Sequence, residues 1–181
     1  MSTSTELRIP VGTYRADTVH SNVGFAVKHM VVATFRGRFE EYDATLTVGD
    51  DGAPRLTGTV DPKSIVVKDE NLAIHLQSPD FFDSERHPQL AFESDAVRFD
   101  GDEVVVDGRL TIKGATRPVE GRGTVVGPIE DPYGNTKIGL ELTTVVDRTE
   151  FGLNWNAPLP KGGVALANEV TLVLDLELRR A

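Results

Sequence analysis

Glu169-Val-Thr-Leu-Val-Leu-Asp-Leu-Glu-Leu178 decides the fold. Val170, Leu172, Leu174, Leu176 and Leu178 fall on one face of an extended chain. Glu169, Thr171, Asp175 and Glu177 fall on the other, and only Val173 breaks the alternation. Successive side chains of a strand point to opposite faces of its sheet. One apolar and one wet face is the pattern of an antiparallel sheet with water on one side.

The same period runs outward from this segment. Val104, Val106, Leu110 and Ile112 share a face in 103–112, and Ile138, Leu140, Leu142 and Val146 share one in 137–146. Ala44, Leu46 and Val48 repeat it in 44–48, as do Leu56, Gly58 and Val60 in 55–60. Segments 13–19, 23–28, 34–42, 89–99 and 117–126 read as further strands with less regular faces. Turn residues separate them: Gly49-Asp-Asp-Gly52-Ala-Pro54, Asp100-Gly101-Asp102, Lys113-Gly114 and Asp131-Pro132-Tyr133-Gly134-Asn135. Even spacing and few long crossovers favour meander hairpins in a barrel or sandwich. Asp69-Glu-Asn-Leu72-Ala-Ile-His-Leu76-Gln does not alternate. Leu72 and Leu76 stand one helical turn apart behind a capping Asp, which predicts a short helix over 69–77. A second short helix or turn is expected at 148–153. Gly121 and Gly123 alternate between Val119 and Val125, and Gly58 sits between Leu56 and Val60. Such glycines either let a sheet curl or leave room inside it.

Composition narrows the function classes. The chain has 181 residues, enough for one domain, and a formal net charge of -9 from 19 Lys+Arg against 28 Asp+Glu. No cation cluster is present to follow a phosphate backbone, so nucleic acid is not an expected partner. No cysteine is present, which excludes disulfides, thiolate metal sites and a Cys nucleophile. No apolar run approaches the ~18 residues of a membrane helix, so no integral membrane segment is expected. The opening Met1-Ser-Thr-Ser-Thr-Glu-Leu-Arg-Ile-Pro10 has no basic start, apolar stretch or cleavage site, which reads as a cytoplasmic protein.

Chemistry-bearing motifs are sparse. His20, His29, His75 and His87 show no metal-ligand spacing, and no metal or cofactor is expected from them. No Gly-x-Ser-x-Gly elbow occurs. Asp17-x-x-His20-Ser21 has the residue types of a triad, but His20 and Ser21 would point to opposite faces of a strand. Turn chemistry is the simpler account. Gly121-Arg122-Gly123 lies inside a strand with no helix after it, unlike a dinucleotide loop. The aromatic residues suffice to fill a core. The apolar phase of the strands and of the short helix predicts that Phe25, Phe39, Leu72, Leu76, Phe92, Leu110, Leu140 and Trp155 point inward. No catalytic residue stands out, and the chain reads as a non-enzyme.

Several segments together carry a resemblance. Asp17-Thr-Val-His20-Ser21-Asn-Val-Gly-Phe25-Ala-Val-Lys28-His29 resembles the opening motif of YceI-like proteins, and Gly37-Arg-Phe39 their next strand. Leu76-Gln-Ser78-Pro79-Asp80-Phe81-Phe82-Asp83 and His87-Pro88 through Ser94 resemble their central segment. Gly108-Arg-Leu110-Thr111-Ile112-Lys-Gly114-Ala-Thr116 and Arg148-Thr-Glu-Phe151-Gly152 resemble two of their turns, and Glu169-Val-Thr-Leu closes the match. The resemblance runs in register over roughly residues 12–178. It implies an all-β, lipocalin-like, extended antiparallel β-barrel of about eight strands, with residues 1–11 as an N-terminal extension and 12–181 as the single domain. It also implies an internal cavity for a polyisoprenoid, an isoprenoid quinone or a related amphiphilic lipid, held for transport, storage or stress protection. The eight inward residues above are then the cavity wall, with His29 and Arg148 as candidate polar groups at its mouth. Family analogy also raises a homodimer. Two alternatives stay open: a packed barrel acting through its surface with no ligand, and an enzyme that modifies an isoprenoid lipid. The resemblance also implies a signal peptide in many members, and the opening residues quoted above do not read as one.

Overall fold

The computed structural model describes residues 9–181. Eleven strands appear in chain order: β1 Gly12–Ala16, β2 Asn22–His29, β3 Ala33–Phe39, β4 Tyr42–Val48, β5 Pro54–Val60, β6 Ile65–Val66, β7 Leu90–Asp100, β8 Glu103–Ile112, β9 Ala115–Glu130, β10 Thr136–Asp147 and β11 Leu166–Arg180. One α-helix, α1 Glu70–Gln77, lies between β6 and β7, and short 3-10 turns occupy Pro62–Ser64 and Arg148–Phe151. All pairings are antiparallel. The order β1-β4-β5-β7-β8-β9-β10-β11 returns to β1, closing an eight-stranded barrel.

The decisive segment explains how the barrel is extended. β11 is long enough to serve two partners on one edge. Its end pairs with β1 from Ala16↔Leu178 to Tyr14↔Arg180, and its earlier part pairs with β2 from Val170↔Val27 to Asp175↔Asn22. β3 and then β6 continue from β2. The closed ring is therefore one end of a longer tube, and β2, β3 and β6 wall the other end beside α1.

Asp17 to Ser21 turns the corner between β1 and β2. Asp17 Oδ1 accepts the Val19 N–H at 3.0 Å, and Ser21 Oγ accepts the Glu177 N–H at 2.9 Å, so the corner stays tied to β11. The 34–42 segment, expected as one strand, is divided the same way. At Glu40-Glu41 the chain leaves β2 and joins β1, and the corner is held by the Glu40 N–H on Ser64 O and the Asp61 N–H on Glu41 O. Of the predicted N-terminal extension, residues 1–8 lie outside the described residues. The rest is fastened to the barrel: the Tyr14 hydroxyl donates to Pro10 O at 2.8 Å, and Ile9 packs on the core.

The inward phase makes two apolar clusters. At the ring end Tyr14, Leu46, Val104, Val125, Ile138, Leu140, Leu176 and Leu178 are essentially sealed from solvent. At the other end Phe39, Ile65, Leu76, Phe81, Phe82, Phe151 and Leu153 pack around α1. The helix is too short to hold itself in water. Asp69 caps it by accepting the Leu72 N–H at 2.9 Å, Ser78 closes it on His75 O at 2.6 Å, and Leu72 and Leu76 dock it on the tube.

A candidate ligand chamber inside the barrel

Two adjacent apolar chambers lie inside the barrel, walled by residues of these clusters. The upper, of about 140 Å³, is walled by Val106, Leu110, Val119, Gly121, Leu142 and Leu174 among others. The lower, of about 450 Å³, lies under α1 and is walled by Phe25, Leu72, Leu76, Phe82, Val146 and Trp155 among others. Phe39, Leu90, Ile112 and Leu172 line both, and the boundary they form is the neck between the chambers. An apolar cavity of ~150 Å³ stays dry and accepts one benzene ring. The volumes of the two chambers together equal several such units.

Glycines shape this space. Phe25 lies across Gly37 on the neighbouring strand, where a Cβ would come within 2.6 Å of the ring. Phe92 covers Gly108 in the same way at 2.5 Å. The tips of both rings occupy space that a side chain at Gly37 or Gly108 would need. Gly121 and Gly123, equivalent by alternation, differ here. A Cβ on Gly121 would meet nothing nearer than 3.9 Å, whereas one on Gly123 would sit 1.7 Å from Glu141 O. Gly121 leaves room; Gly123 permits close backbone approach.

The inward residues distribute as follows. Phe92 and Leu110 line the upper chamber, Phe39 the neck, and Phe25, Leu72, Leu76 and Trp155 the lower chamber. Leu140 is buried, but in the packed ring end, away from both chambers. Alternation gives the face a residue takes and not its height along the tube. Trp155 is 36% exposed and stands at the edge of the lower chamber.

The two polar mouth candidates differ. His29 is exposed and lines the lower chamber. Arg148 also lines it, but the side chain is only 5% exposed and its donors are committed. Nε donates to Ala167 O at 2.9 Å, and Nη1 to Leu153 O at 2.6 Å and Trp155 O at 2.8 Å, with Nη2 3.4 Å from Leu166 O. Two of these carbonyls lie where the β2–β11 register shifts, between Leu166 and Val170. Arg148 therefore pins the 154–165 loop to the barrel. Burial pushes its pKa down, and the neighbouring Asp147 carboxylate partly offsets this.

His75 is a wall residue that the sequence reading left unassigned. Its ring meets Trp155 edge-on at 5.1 Å and Phe81 at 5.0 Å, while Nε2 is 2.9 Å from Asp80 Oδ2. Its place three residues after Leu72 on the docked face of the helix was the available signal.

Outside the chambers, Asp17, His20 and Glu177 bring one ligand-type atom each within 4.8 Å of one another. The Lys137 ammonium, 2.5 Å from Glu177 Oε1 and 3.5 Å from Asp131 Oδ2, already supplies a positive charge there. The hydrogen bond to Asp17 raises the pKa of His20 and lowers that of Asp17. Hydrogen bonds from the Asn135 side chain and backbone hold Asp131 down at about 2. Ser21 Oγ is engaged by the Glu177 backbone, and among the described residues no hydrogen bond joins it to His20.

Comparison with known proteins agrees with this architecture. The YceI-like domain family matches residues 14–178. A UPF0312 protein of Staphylococcus aureus strain N315 is 33% identical over 167 residues, covering 89% of this chain and 94% of the relative. The crystal structure of Burkholderia cenocepacia BcnA superposes with a TM-score of 0.74 at 24% identity, over 90% of this chain and 98% of that one. A polyisoprenoid binding domain from Saccharophagus degradans, implicated in plant cell wall breakdown, gives a TM-score of 0.69 at 10% identity, over 95% and 100%. At these identities the two solved structures are similar in fold.

Proposed function

The chain belongs to the YceI-like family, and from that premise we propose that it binds a linear apolar chain, such as a polyisoprenoid or the tail of an isoprenoid quinone, inside the barrel. The observation that carries this reading is the pair of apolar chambers that share the Phe39–Ile112 boundary. Removing apolar surface from water contributes about 25 cal/mol per Å², so a hydrocarbon tail needs no specific hydrogen bond to be retained. Length and width of the tube then select the ligand, with His29 and His75 as polar groups near the mouth. The fold of a protein described as a polyisoprenoid binding domain supports the same class of occupant.

Mass spectrometry of an organic extract of the purified protein, with saturable uptake of a fluorescent isoprenoid at micromolar concentration, tests the reading. A retained or exchangeable apolar chain is the expected result. An empty extract together with no saturable uptake would leave a packed barrel acting through its surface.

The proposal includes no catalytic step. His20 is largely exposed, is bonded to Asp17, and lines neither chamber. His20→Ala is therefore expected to lower thermal stability slightly while leaving isoprenoid uptake unchanged. Turnover of a bound lipid that disappears in this variant would reverse the assignment.

A further inference from the structure

Several of the large exposed apolar side chains gather on two loops. Met30, Val31 and Val32 form the β2–β3 turn, the valines 69% and 85% exposed, and Trp155 and Val164 lie on the 154–165 loop. The loops make one surface: the Met30 N–H donates to Ala165 O at 2.7 Å, and Val31 Cγ2 is 3.9 Å from where a Cβ on Gly163 would lie. This surface rims the lower chamber, since His29, Ala33, Trp155 and Leu166 face into it.

Two further features set the rim apart. Met30 and Val31 have φ of +52° and +65°, a region uncommon for any residue but glycine and one that a β-branched residue such as Val31 almost never adopts. Strain of this kind persists where the surroundings hold it, and it concentrates at functional sites. Charge is the second feature. Residues 28–34 and 154–165 contain Lys28 and Lys161 but no Asp or Glu, in a chain of net charge -9.

We infer that this rim is a docking surface for a lipid bilayer, from which the apolar occupant passes into the lower chamber. The inference rests on the ligand class proposed above, because a long hydrocarbon chain resides in a bilayer rather than in water. Apolar tips flanked by cations suit such a surface: the tips enter the headgroup boundary, and the lysines are drawn to anionic lipid. Trp155 matches the amphipathic ring that settles at headgroup depth. The acidic remainder of the molecule is repelled by the same lipid, which turns the mouth toward the membrane.

The test compares wild type with the double variant V31D/V32D and with K161E, by flotation with vesicles of phosphatidylcholine alone or mixed with phosphatidylglycerol. Asp tolerates positive φ better than Val, so the Val31 substitution eases the turn and the double variant is expected to fold. Wild type should float with the mixed vesicles more than with neutral ones. V31D/V32D should lose about tenfold or more of vesicle binding, from the loss of two inserted valines, and K161E should lose only the preference for anionic lipid. Uptake of a fluorescent isoprenoid delivered from ethanol should stay at the wild-type level in both. Wild type that ignores vesicles, or V31D/V32D that binds them equally well, overturns the docking surface. So does wild type that dimerises at micromolar concentration and becomes monomeric in V31D/V32D, which would make the rim a contact between copies. Failure of uptake from ethanol in wild type defeats the ligand assignment instead, and flotation then still decides whether the rim meets lipid.

Discussion

Arg148→Ala is expected to destabilise the protein by about 3 kcal/mol, on the basis of about 1 kcal/mol net for each of its three short hydrogen bonds. For a domain of this size that lowers Tm by roughly 6–12 °C. The side chain is 5% exposed and gives its protons to the carbonyls of Leu153, Trp155 and Ala167. Removing it leaves those acceptors near the β2–β11 register shift without the donor they now share. Thermal melting by circular dichroism measures the loss. Hydrogen exchange should show the opening concentrated in residues 153–167. Arg148→Lys should recover only part of the stability, because an ammonium cannot reproduce a planar fork of donors. If Arg148 were instead a free group at the mouth, Ala would cut affinity for a polar headgroup and leave Tm nearly unchanged.

That difference shows what the sequence can reveal and what it cannot. Strict period-two alternation in 170–178 and 138–146 fixes which side chains point inward, because a one-residue slip would turn every leucine to water. The helix over 69–77 was equally legible from Asp69 and the Leu72–Leu76 spacing, and the structure has it at Glu70–Gln77. What escapes is anything set by long-range pairing. The division of 34–42 at Glu40-Glu41 follows from β3 and β4 taking different partners. Leu140 shares a phase with residues that line the chambers, yet its strand places it in the packed end. Arg148 looked like a free cation because its partners are backbone carbonyls, which leave no mark in the side-chain sequence. Gly121 and Gly123 read alike, and only the position of Glu141 O separates them.

Gly121→Leu turns that last distinction into a measurable effect on binding. A Cβ at this position has Leu142 Cβ and Cδ2 and Thr143 O as its nearest neighbours, all at 3.9 Å, so the side chain can enter the upper chamber without moving backbone. That chamber is about 140 Å³, and four added carbons would take up much of it. Filling an apolar void is neutral to stabilising for an empty protein, so the variant should fold and melt at or slightly above wild type. A ligand long enough to pass the neck would lose burial of roughly four carbons. At about 0.8 kcal/mol per carbon this is ~3 kcal/mol, or about 100-fold in Kd. A ligand short enough to stay in the lower chamber should bind as before. Titration of the variant with isoprenoids of increasing length should therefore show affinity that levels off early, where wild type continues to gain. Gly123→Leu is the opposite control: its Cβ would fall 1.7 Å from Glu141 O, so the β9–β10 pairing must part and the protein should lose stability whatever the ligand. Equal loss for short and long chains in Gly121→Leu would mean that the upper chamber is not part of the path. No loss for any length would mean that the ligand never passes Phe39 and Ile112, and that the lower chamber alone is the site.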